Sequence, residues 1–146
     1  MENVITEIQL SYNTNCRVKQ KIVSSESAYE LLLNHWGTNT IELQEEFKVL
    51  LLNRANCVLG IYNLSKGSTT STLIDIKLIA AVAIKSNASS IIVCHNHPSG
   101  NVNPSEADKS ITKKLKLATE LFEITLLDHL IITKNDYYSF KDNGIL

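Results

Sequence analysis

Residues 90–121 read SIIVCHNHPSGNVNPSEADKSITKKLKLATEL, and this stretch decides the fold. It opens on SIIVCH, a short apolar run of the kind that forms a buried strand. A polar loop follows. Asn103, Pro104 and Glu106 then match a helix start, with an N-cap residue, a proline at the first helical position and an acid at the third. The pattern predicts a strand, a loop and a helix that runs to about Leu121.

The rest of the chain supplies further helices and strands. One predicted helix is capped by Ser24 or Ser25, runs to about Trp36 and is ended by Gly37, and another covers residues 72–86. The turn-like NRAN sequence predicts a hairpin between two of the strands. Strands interleaved with helices indicate an α/β fold with helices on both faces of a central sheet. The other predicted strands and the two of the hairpin are 5–11, 17–23, 45–52, 57–64, 124–133 and 137–140.

Length and charge restrict the functional classes. The chain has 146 residues and a formal net charge of −1 with its histidines neutral. This length fits one ordinary domain, 1–146, with enough interior to fold without a structural metal or disulfides. Because the total shows no basic excess, the composition does not favour a dedicated nucleic-acid binder.

Cysteine usage and hydropathy indicate the compartment. Cys16, Cys57 and Cys94 form no CxxC pair and leave an odd thiol in any disulfide scheme, which is typical of a reducing environment. The N-terminal residues do not resemble a secretory signal. The longest wholly apolar run, 78–84, is far shorter than the roughly 20 residues that cross a bilayer. We therefore expect a cytoplasmic protein with no membrane association.

Two histidines and an acid have the spacing of a metal site. His95 and His97 alternate along the predicted strand, so both imidazoles point to one side if the extended conformation persists. Asp108 lies one helical turn beyond Ser105, so the hydroxyl and the carboxylate share a face. Two histidines and a carboxylate, with a fourth position for water, are typical of a catalytic zinc site. HxH alone is a weak pattern, but HxH, seven residues and SxxD rarely arise together by chance.

The series His95, His97, Ser105 and Asp108 resembles the JAMM motif of the JAB/MPN metalloprotease superfamily. HNHPSG followed by PSEAD is similar to the RadC branch in particular, and the resemblance extends over about residues 22–146. It implies a single JAB/MPN domain with a cytidine-deaminase-like fold, a three-layer α-β-α sandwich around a mixed central sheet. Fuller-length RadC-like proteins carry an N-terminal helix-hairpin-helix region, and from the length of this chain we expect it to lack that region.

The resemblance also implies roles for individual residues. His95, His97 and Asp108 match the family's zinc ligands. Ser105 matches the serine that steadies the tetrahedral intermediate, and an upstream glutamate is the general acid/base. Zinc would lower the pKa of a bound water to about 7, which suits hydrolysis of an amide or peptide bond at neutral pH.

Two glutamates compete for the acid/base role. Glu45 is in strand phase with the apolar Phe47, whereas Glu46 is in phase with the charged Lys48. This alternation favours Glu45 pointing inward and Glu46 pointing to solvent. The family pattern, with the glutamate two residues before Phe, favours the same choice. Leu50 weakens the alternation, because a central strand is apolar on both faces. Glu46 therefore remains the alternative for the general acid/base.

A further block that resembles the RadC branch contains Asp128 and His129. One of them could orient a zinc-bound imidazole, or both could be structural. Since adjacent strand residues point to opposite faces, at most one of the two is expected to face the site.

Three functional hypotheses follow. The first is a zinc-dependent hydrolase of JAMM type that acts on a protein or peptide substrate. The second is a RadC-like accessory protein in DNA repair, which binds DNA or a repair partner without turnover. The third is a catalytically silent MPN-like interaction module, which the complete ligand set disfavours.

One local basic patch is either a solvated face or a phosphate contact, and it consists of Lys109, Lys113, Lys114 and Lys116.

Overall fold

The computed structural model describes residues 4–9, 11–13, 19–67 and 74–146. Its helices are α1 (Ser25–Asn34), α2 (Ile76–Lys85) and α3 (Glu106–Glu120). Its strands are β1 (Glu46–Leu52), β2 (Val58–Lys66), β3 (Ser90–Asn96), β4 (Thr125–Ile132) and β5 (Tyr137–Ser139). Within these ranges, none of the helices has the length and apolar character needed to cross a membrane.

The five strands form one mixed sheet in the order β2-β1-β3-β4-β5. Strands β3 and β4 are parallel and are connected through α3, whereas the other neighbouring pairs are antiparallel. Helix α1 packs on one face of the sheet, and α2 and α3 pack on the other. The predicted three-layer α/β architecture with a mixed central sheet is confirmed.

The central strands are buried on both sides. Every residue of β1 and β3 is buried. In β1, Leu50 and Leu52 pack beneath α1, while Val49 and Leu51 pack beneath α2 and α3. A slip of one residue would exchange the two faces, so the packing fixes the register that brings the candidate site residues to one side.

Helix α1 begins where the sequence predicts. The Oγ of Ser24 accepts the backbone N–H of Ser27, and the Oγ of Ser27 accepts the N–H of Ser24, which together form a capping box. The helix ends at Asn34 rather than at Trp36. Trp36 lies beyond the helix and is only 4% exposed, because its ring packs into the core beneath α1.

Helix α3 begins later than predicted. Its N-cap is Ser105, not Asn103, and Pro104 lies outside the helix. The Oγ of Ser105 accepts the N–H of Asp108 at 3.0 Å, and the Asp108 carboxylate accepts the N–H of Ser105 at 2.8 Å. Asp108 closes this reciprocal pair, whereas the side chain of Glu106 is 89% exposed. The capping box therefore determines the start of the helix.

The two strands predicted near the N-terminus are wrong over the residues described. Residues 4–9 and 11–13 belong to no strand, and Ile5 and Ile8 are 89% and 88% exposed. The predicted strand 17–23 reduces, over 19–23, to one isolated bridge from Lys21 to Cys57. Ile5 and Ile8 bury almost no apolar area that would hold their segment against a sheet, whereas Ile22 packs into the core beneath α1 although its segment forms no strand.

The other elements match the predictions in kind and differ at their ends. The β1–β2 hairpin is confirmed, and the Oδ1 of Asn53 accepts two backbone N–H groups within its turn, each at 2.9 Å. Helix α2 begins at Ile76 with Asp75 as its N-cap. Residues 72 and 73, where that helix is predicted to begin, lie outside the described residues.

Glu46 is buried, not solvent-facing as predicted. Its side chain is 5% exposed and lies 3.6 Å from the Nζ of Lys48 and 3.8 Å from the Nζ of Lys66. Lys48 is buried as well: its Nζ donates to the Oδ1 of Asn63 at 2.6 Å and lies 4.7 Å from the centre of the Trp36 ring. The segment after α1 covers this face of β1, so a charged pair is enclosed where the pattern predicted solvent.

Lys48→Met should lower the free energy of unfolding by about 3 kcal/mol, because removal of one partner leaves the buried carboxylate of Glu46 poorly compensated. Urea denaturation followed by circular dichroism measures the loss. The double variant Glu46→Gln with Lys48→Met should recover most of it. A loss below about 1 kcal/mol for Lys48→Met, as expected for a surface pair, would contradict this assignment.

Candidate metal centre

The predicted metal site lies where β3 ends and α3 begins. His95 belongs to β3, and His97 follows just beyond the strand. The N–H of His97 donates to the carbonyl of Ile132 at 3.0 Å, so the chain continues along the end of β4. Gly100 has a φ of +84°, a conformation that glycine adopts without strain, and its N–H donates to the carbonyl of His97. This turn directs the loop back toward the histidines.

The side chains of His95, His97 and Asp108 converge. The two Nε2 atoms lie 3.0 Å apart. The Oδ1 of Asp108 is 3.2 Å from the Nε2 of His95, and its Oδ2 is 3.4 Å from the Nε2 of His97. One ligand atom from each residue lies within 4.8 Å of the others. The His95 side chain is 2% exposed and that of His97 is 17% exposed, so solvent reaches the centre from the His97 side.

The charges of these groups are coupled. Burial alone would raise the pKa of the Asp108 carboxyl, but hydrogen bonds with His95 and His97 hold it well below its ordinary range. Burial would lower the pKa of His97, but hydrogen bonds with Asp108 and Asn101 and the charges of Asp108 and Glu45 raise it overall. The centre therefore favours a cation, and a metal ion would displace any proton held there.

Hydrogen bonds behind the histidines determine which ring nitrogens face the centre. The Nδ1 of His97 lies 2.7 Å from the carbonyl oxygen of Asn101. Because a carbonyl only accepts, this Nδ1 carries a hydrogen, and the neutral ring presents a bare Nε2 to the centre. The Nδ1 of His95 lies 2.8 Å from the Nε2 of His129. Both rings thus direct Nε2 inward and have an outward partner, as metal-binding histidines do.

The donor set fits a divalent metal. Two imidazole nitrogens and one carboxylate oxygen are the number and kind of protein ligands typical of catalytic zinc sites. Among the residues that the structure describes, these three form the group of His, Cys, Asp or Glu close enough to hold an ion.

His129 and Asp128 point to opposite faces of β4. His129 is fully buried on the side of the centre. On the other side, Asp128 accepts the Oγ–H of Ser139 at 2.6 Å and the N–H of Lys141 at 3.0 Å. Burial raises the pKa of the Asp128 carboxyl, and the hydrogen bond from Ser139 partly offsets the rise. Asp128 therefore has a structural role, in which it ties β5 and the turn after it to β4.

Ser105 lies on the exposed side of the centre. Its backbone N–H donates to the Oδ2 of Asp108, the same atom that faces the Nε2 of His97. The helix cap and the candidate metal ligand thus share one carboxylate. This brings Ser105 next to the three converging side chains.

Glu45 lies just before β1 and is half-buried. The antiparallel pairing of β1 with β3 ends where Phe47 lies opposite His95. The same register, if continued by two residues, would bring Glu45 opposite His97. The negative charge of Glu45 contributes to the raised pKa of His97. Phe47 stacks on His95, so strand alternation continued by two residues predicts Glu45 on the side of the histidines. Glu46 instead contacts Lys48 and Lys66 on the opposite face.

Asn96, between the two histidines, was not identified from the sequence. It is fully buried on the opposite face from them, where its side-chain amide donates to the carbonyls of Ile41 and Gln44 at 2.7 and 2.9 Å. Its Oδ1 accepts the N–H of Glu46 at 2.7 Å. Asn96 thereby fixes the segment that carries Glu45. The available signal was a polar residue within an otherwise apolar strand.

Thr112 is a second residue near the centre that the sequence patterns did not identify. Its Oγ1 lies 2.6 Å from the carbonyl oxygen of Asp108 and 2.6 Å from the Nδ1 of His129. The available signal was its position one helical turn after Asp108, on the same face.

The side chains of Cys94 and His35 lie apart from the centre. Cys94 is fully buried in the core beneath α1, where burial raises the pKa of its thiol. His35 is the C-cap residue of α1, and its Nδ1 lies 2.9 Å from the carbonyl oxygen of Leu31.

Known proteins resemble the chain over most of its length. The family model of the RadC-like JAB domain matches residues 22–145. A UPF0758 protein from Flavobacterium johnsoniae is 47% identical over 127 residues, which are 86% of this chain and 54% of that protein. Proteins of the same name from Chlorobaculum parvum and Chlorobaculum tepidum are 40% and 37% identical, over 88% and 97% of this chain and 57% and 63% of their own lengths.

The chain thus spans between 54% and 63% of the length of these relatives. The family match includes the strand, loop and helix that carry His95, His97 and Asp108. It confirms the resemblance to the RadC branch that the sequence indicated. The chain therefore belongs to the RadC-like JAB domain family.

Proposed function

We propose that the chain is a zinc-dependent hydrolase of JAMM type, which cleaves amide or peptide bonds in a protein or peptide substrate. The observation that carries the proposal is the convergence of the Nε2 atoms of His95 and His97 with the carboxylate of Asp108. Three protein donors would leave a fourth position for water on a zinc ion held by these residues. Membership of a JAB domain family supports a metal at this position.

His95, His97 and Asp108 would hold the zinc ion. A bound zinc ion supplies Lewis acidity, which lowers the pKa of a coordinated water from near 15.7 to about 7. The ionised state of Asp108 and the inward Nε2 atoms prepare the three residues to bind a cation.

In this proposal Glu45 is the general acid/base. Its carboxylate takes a proton from the attacking water and passes it to the leaving amine. The register of β1 and β3, which if continued would bring Glu45 opposite His97, and the effect of its charge on the pKa of that imidazole support this role. Glu46 is engaged with Lys48 and Lys66 on the other face of the sheet.

Ser105 is proposed to stabilise the oxyanion that develops on the substrate carbonyl. Its Oγ accepts the N–H of Asp108, an interaction that uses a lone pair and not the hydroxyl hydrogen. That hydrogen can then be donated to the substrate. A donor of this kind typically contributes about 2.7–4 kcal/mol to lowering the barrier.

The alternative proposal, an accessory protein in DNA repair, would depend on phosphate contacts from the lysines of α3. Lys109 is paired with Glu106 at 2.8 Å, and the net charge of the chain is −1. The hydrolase proposal therefore has the stronger support.

Free thiols at Cys57 and Cys94 agree with the proposed cytoplasmic location.

Glu45→Gln should retain zinc and lower hydrolysis by about 10²–10⁴-fold, because the amide cannot accept a proton from water. Elemental analysis after incubation with zinc and dialysis measures the metal. Mass spectrometry of a mixture of unstructured synthetic peptides measures cleavage. The matched control Glu46→Gln should keep both properties, and His97→Ala should lose the metal.

Absence of retained zinc in the unmodified protein would contradict the proposed function. Loss of cleavage in Glu46→Gln, with normal cleavage in Glu45→Gln, would reverse the assignment of the acid/base.

Ser105→Ala should have two separable effects. Loss of the helix cap should lower the free energy of unfolding by about 1 kcal/mol, and loss of the hydroxyl donor should lower peptide cleavage by about 10²–10³-fold. Urea denaturation and the peptide assay measure them independently. Ser105→Thr should retain both, since threonine keeps the hydroxyl. If Ser105→Ala is less stable but cleaves at the normal rate, Ser105 is a helix cap only.

A further inference from the structure

His129 is a polar side chain enclosed by aromatic rings. It is fully buried and stacks on Phe140 with ring centroids 4.6 Å apart, and it packs edge-to-face with Phe47 at a centroid separation of 5.9 Å. An imidazole in such surroundings destabilises the fold unless both of its nitrogens are hydrogen-bonded. Both are: Nδ1 lies 2.6 Å from the Oγ1 of Thr112, and Nε2 lies 2.8 Å from the Nδ1 of His95.

The four residues Asp108, Thr112, His129 and His95 form a series of hydrogen bonds, and the carbonyl at its start determines the direction of each bond. The carbonyl oxygen of Asp108 can only accept, so the hydroxyl of Thr112 donates its single hydrogen to it at 2.6 Å. The Oγ1 of Thr112 therefore accepts from the Nδ1–H of His129. Complete burial without a carboxylate partner keeps the His129 ring neutral, so its Nε2 carries no hydrogen and accepts.

The last bond then determines the tautomer of His95. Since the Nε2 of His129 accepts, the Nδ1 of His95 must carry the hydrogen and donate it. A neutral His95 consequently has its lone pair on Nε2, the atom that lies 3.2 Å from the Oδ1 of Asp108.

We propose that His129, backed by Thr112, is a positioning residue that holds His95 in the tautomer and orientation needed to bind the metal. The inference rests on the metal site of the proposed function. Asp108 contacts both ends of this series of hydrogen bonds, because its carbonyl accepts from Thr112 while its carboxylate faces the Nε2 of His95. Hydrogen bonds through His129 of β4 thus connect the first turn of α3 with the imidazole of His95 in β3.

An apolar residue in place of His129 would fill the space but could not accept a hydrogen bond from His95. His95 is itself only 2% exposed, so its Nδ1–H has no water to replace the lost acceptor. The ring could then move its hydrogen to Nε2, where it would block the metal, or leave a buried donor unpaired. Partners of this kind typically change metal affinity by about 10–100-fold.

The test is a competition titration with zinc against a chromophoric chelator, at fixed pH and salt. His129→Leu should weaken zinc binding by about 10–100-fold. His129→Gln, whose amide oxygen can accept from the Nδ1–H of His95, should recover most of the affinity. Thr112→Val should weaken binding less than His129→Leu does, because the acceptor remains and only its support is lost.

Thr119→Val is the matched control. Thr119 is also a fully buried threonine of α3, and its Oγ1 donates to a backbone carbonyl of the helix, that of Lys116, at 3.2 Å. This variant should bind zinc as the unmodified chain does, while it tests the general effect of a buried hydroxyl on folding. Urea denaturation of each variant identifies any that fail to fold.

Nitrogen-15 spectra of the histidine rings give a readout that stability does not affect. In the unmodified protein His129 should carry its hydrogen on Nδ1, and in the zinc-loaded protein His95 should carry its own on Nδ1. A hydrogen on the Nε2 of His129, or unchanged zinc affinity in a folded His129→Leu, would overturn the inference. Failure of the unmodified chain to bind zinc would instead overturn the proposed function, and the His129 tautomer would still test the hydrogen-bond chain.

Discussion

The carboxylate of Asp108 is the group on which the rest of the site depends. Its Oδ2 accepts the N–H of Ser105 and thereby closes the first turn of α3, while both oxygens face the imidazoles of His95 and His97. The positive end of a helix dipole stabilises an acid at this position. Because α3 is anchored to the sheet by the buried Leu115, the cap places a negative charge at a fixed point above the end of β3.

The sheet contributes the other half of the arrangement through strand alternation. In the tripeptide His95–Asn96–His97, the two imidazoles point to the centre. The amide between them points to the opposite face of the sheet, where it forms hydrogen bonds with the segment that leads into β1. That segment carries Glu45. This tripeptide at the end of β3 therefore positions two candidate ligands directly and the candidate acid/base indirectly. A change at Asn96 is expected to act through Glu45 rather than through the metal.

The sequence was sufficient where a pattern reflects local chemistry. The cap at Ser24, the Asn53 turn and the apolar strands follow from short-range preferences, and each is found in the structure. The spacing of His95, His97 and Asp108 predicted a convergence that the loop between β3 and α3 then allowed.

The sequence was insufficient where two patterns competed or where a third element decided the outcome. Asn103 with Glu106 and Ser105 with Asp108 both match a helix start, and only the reciprocal bonds of the second pair distinguish them. Glu46 is in the phase predicted, but burial depends on what covers that face of β1, which alternation within one strand does not reveal. The link from Thr112 to His129 joins a helix to a strand and has no signature within either.

X-ray absorption at the zinc edge of the metal-loaded protein tests the central claim most directly, because it reports the ligands themselves. We expect nitrogen and oxygen donors at about 2.0–2.1 Å, with outer-shell scattering from two imidazole rings. A sulfur donor at about 2.3 Å, or scattering from fewer or more than two imidazoles, would contradict the assignment of His95, His97 and Asp108.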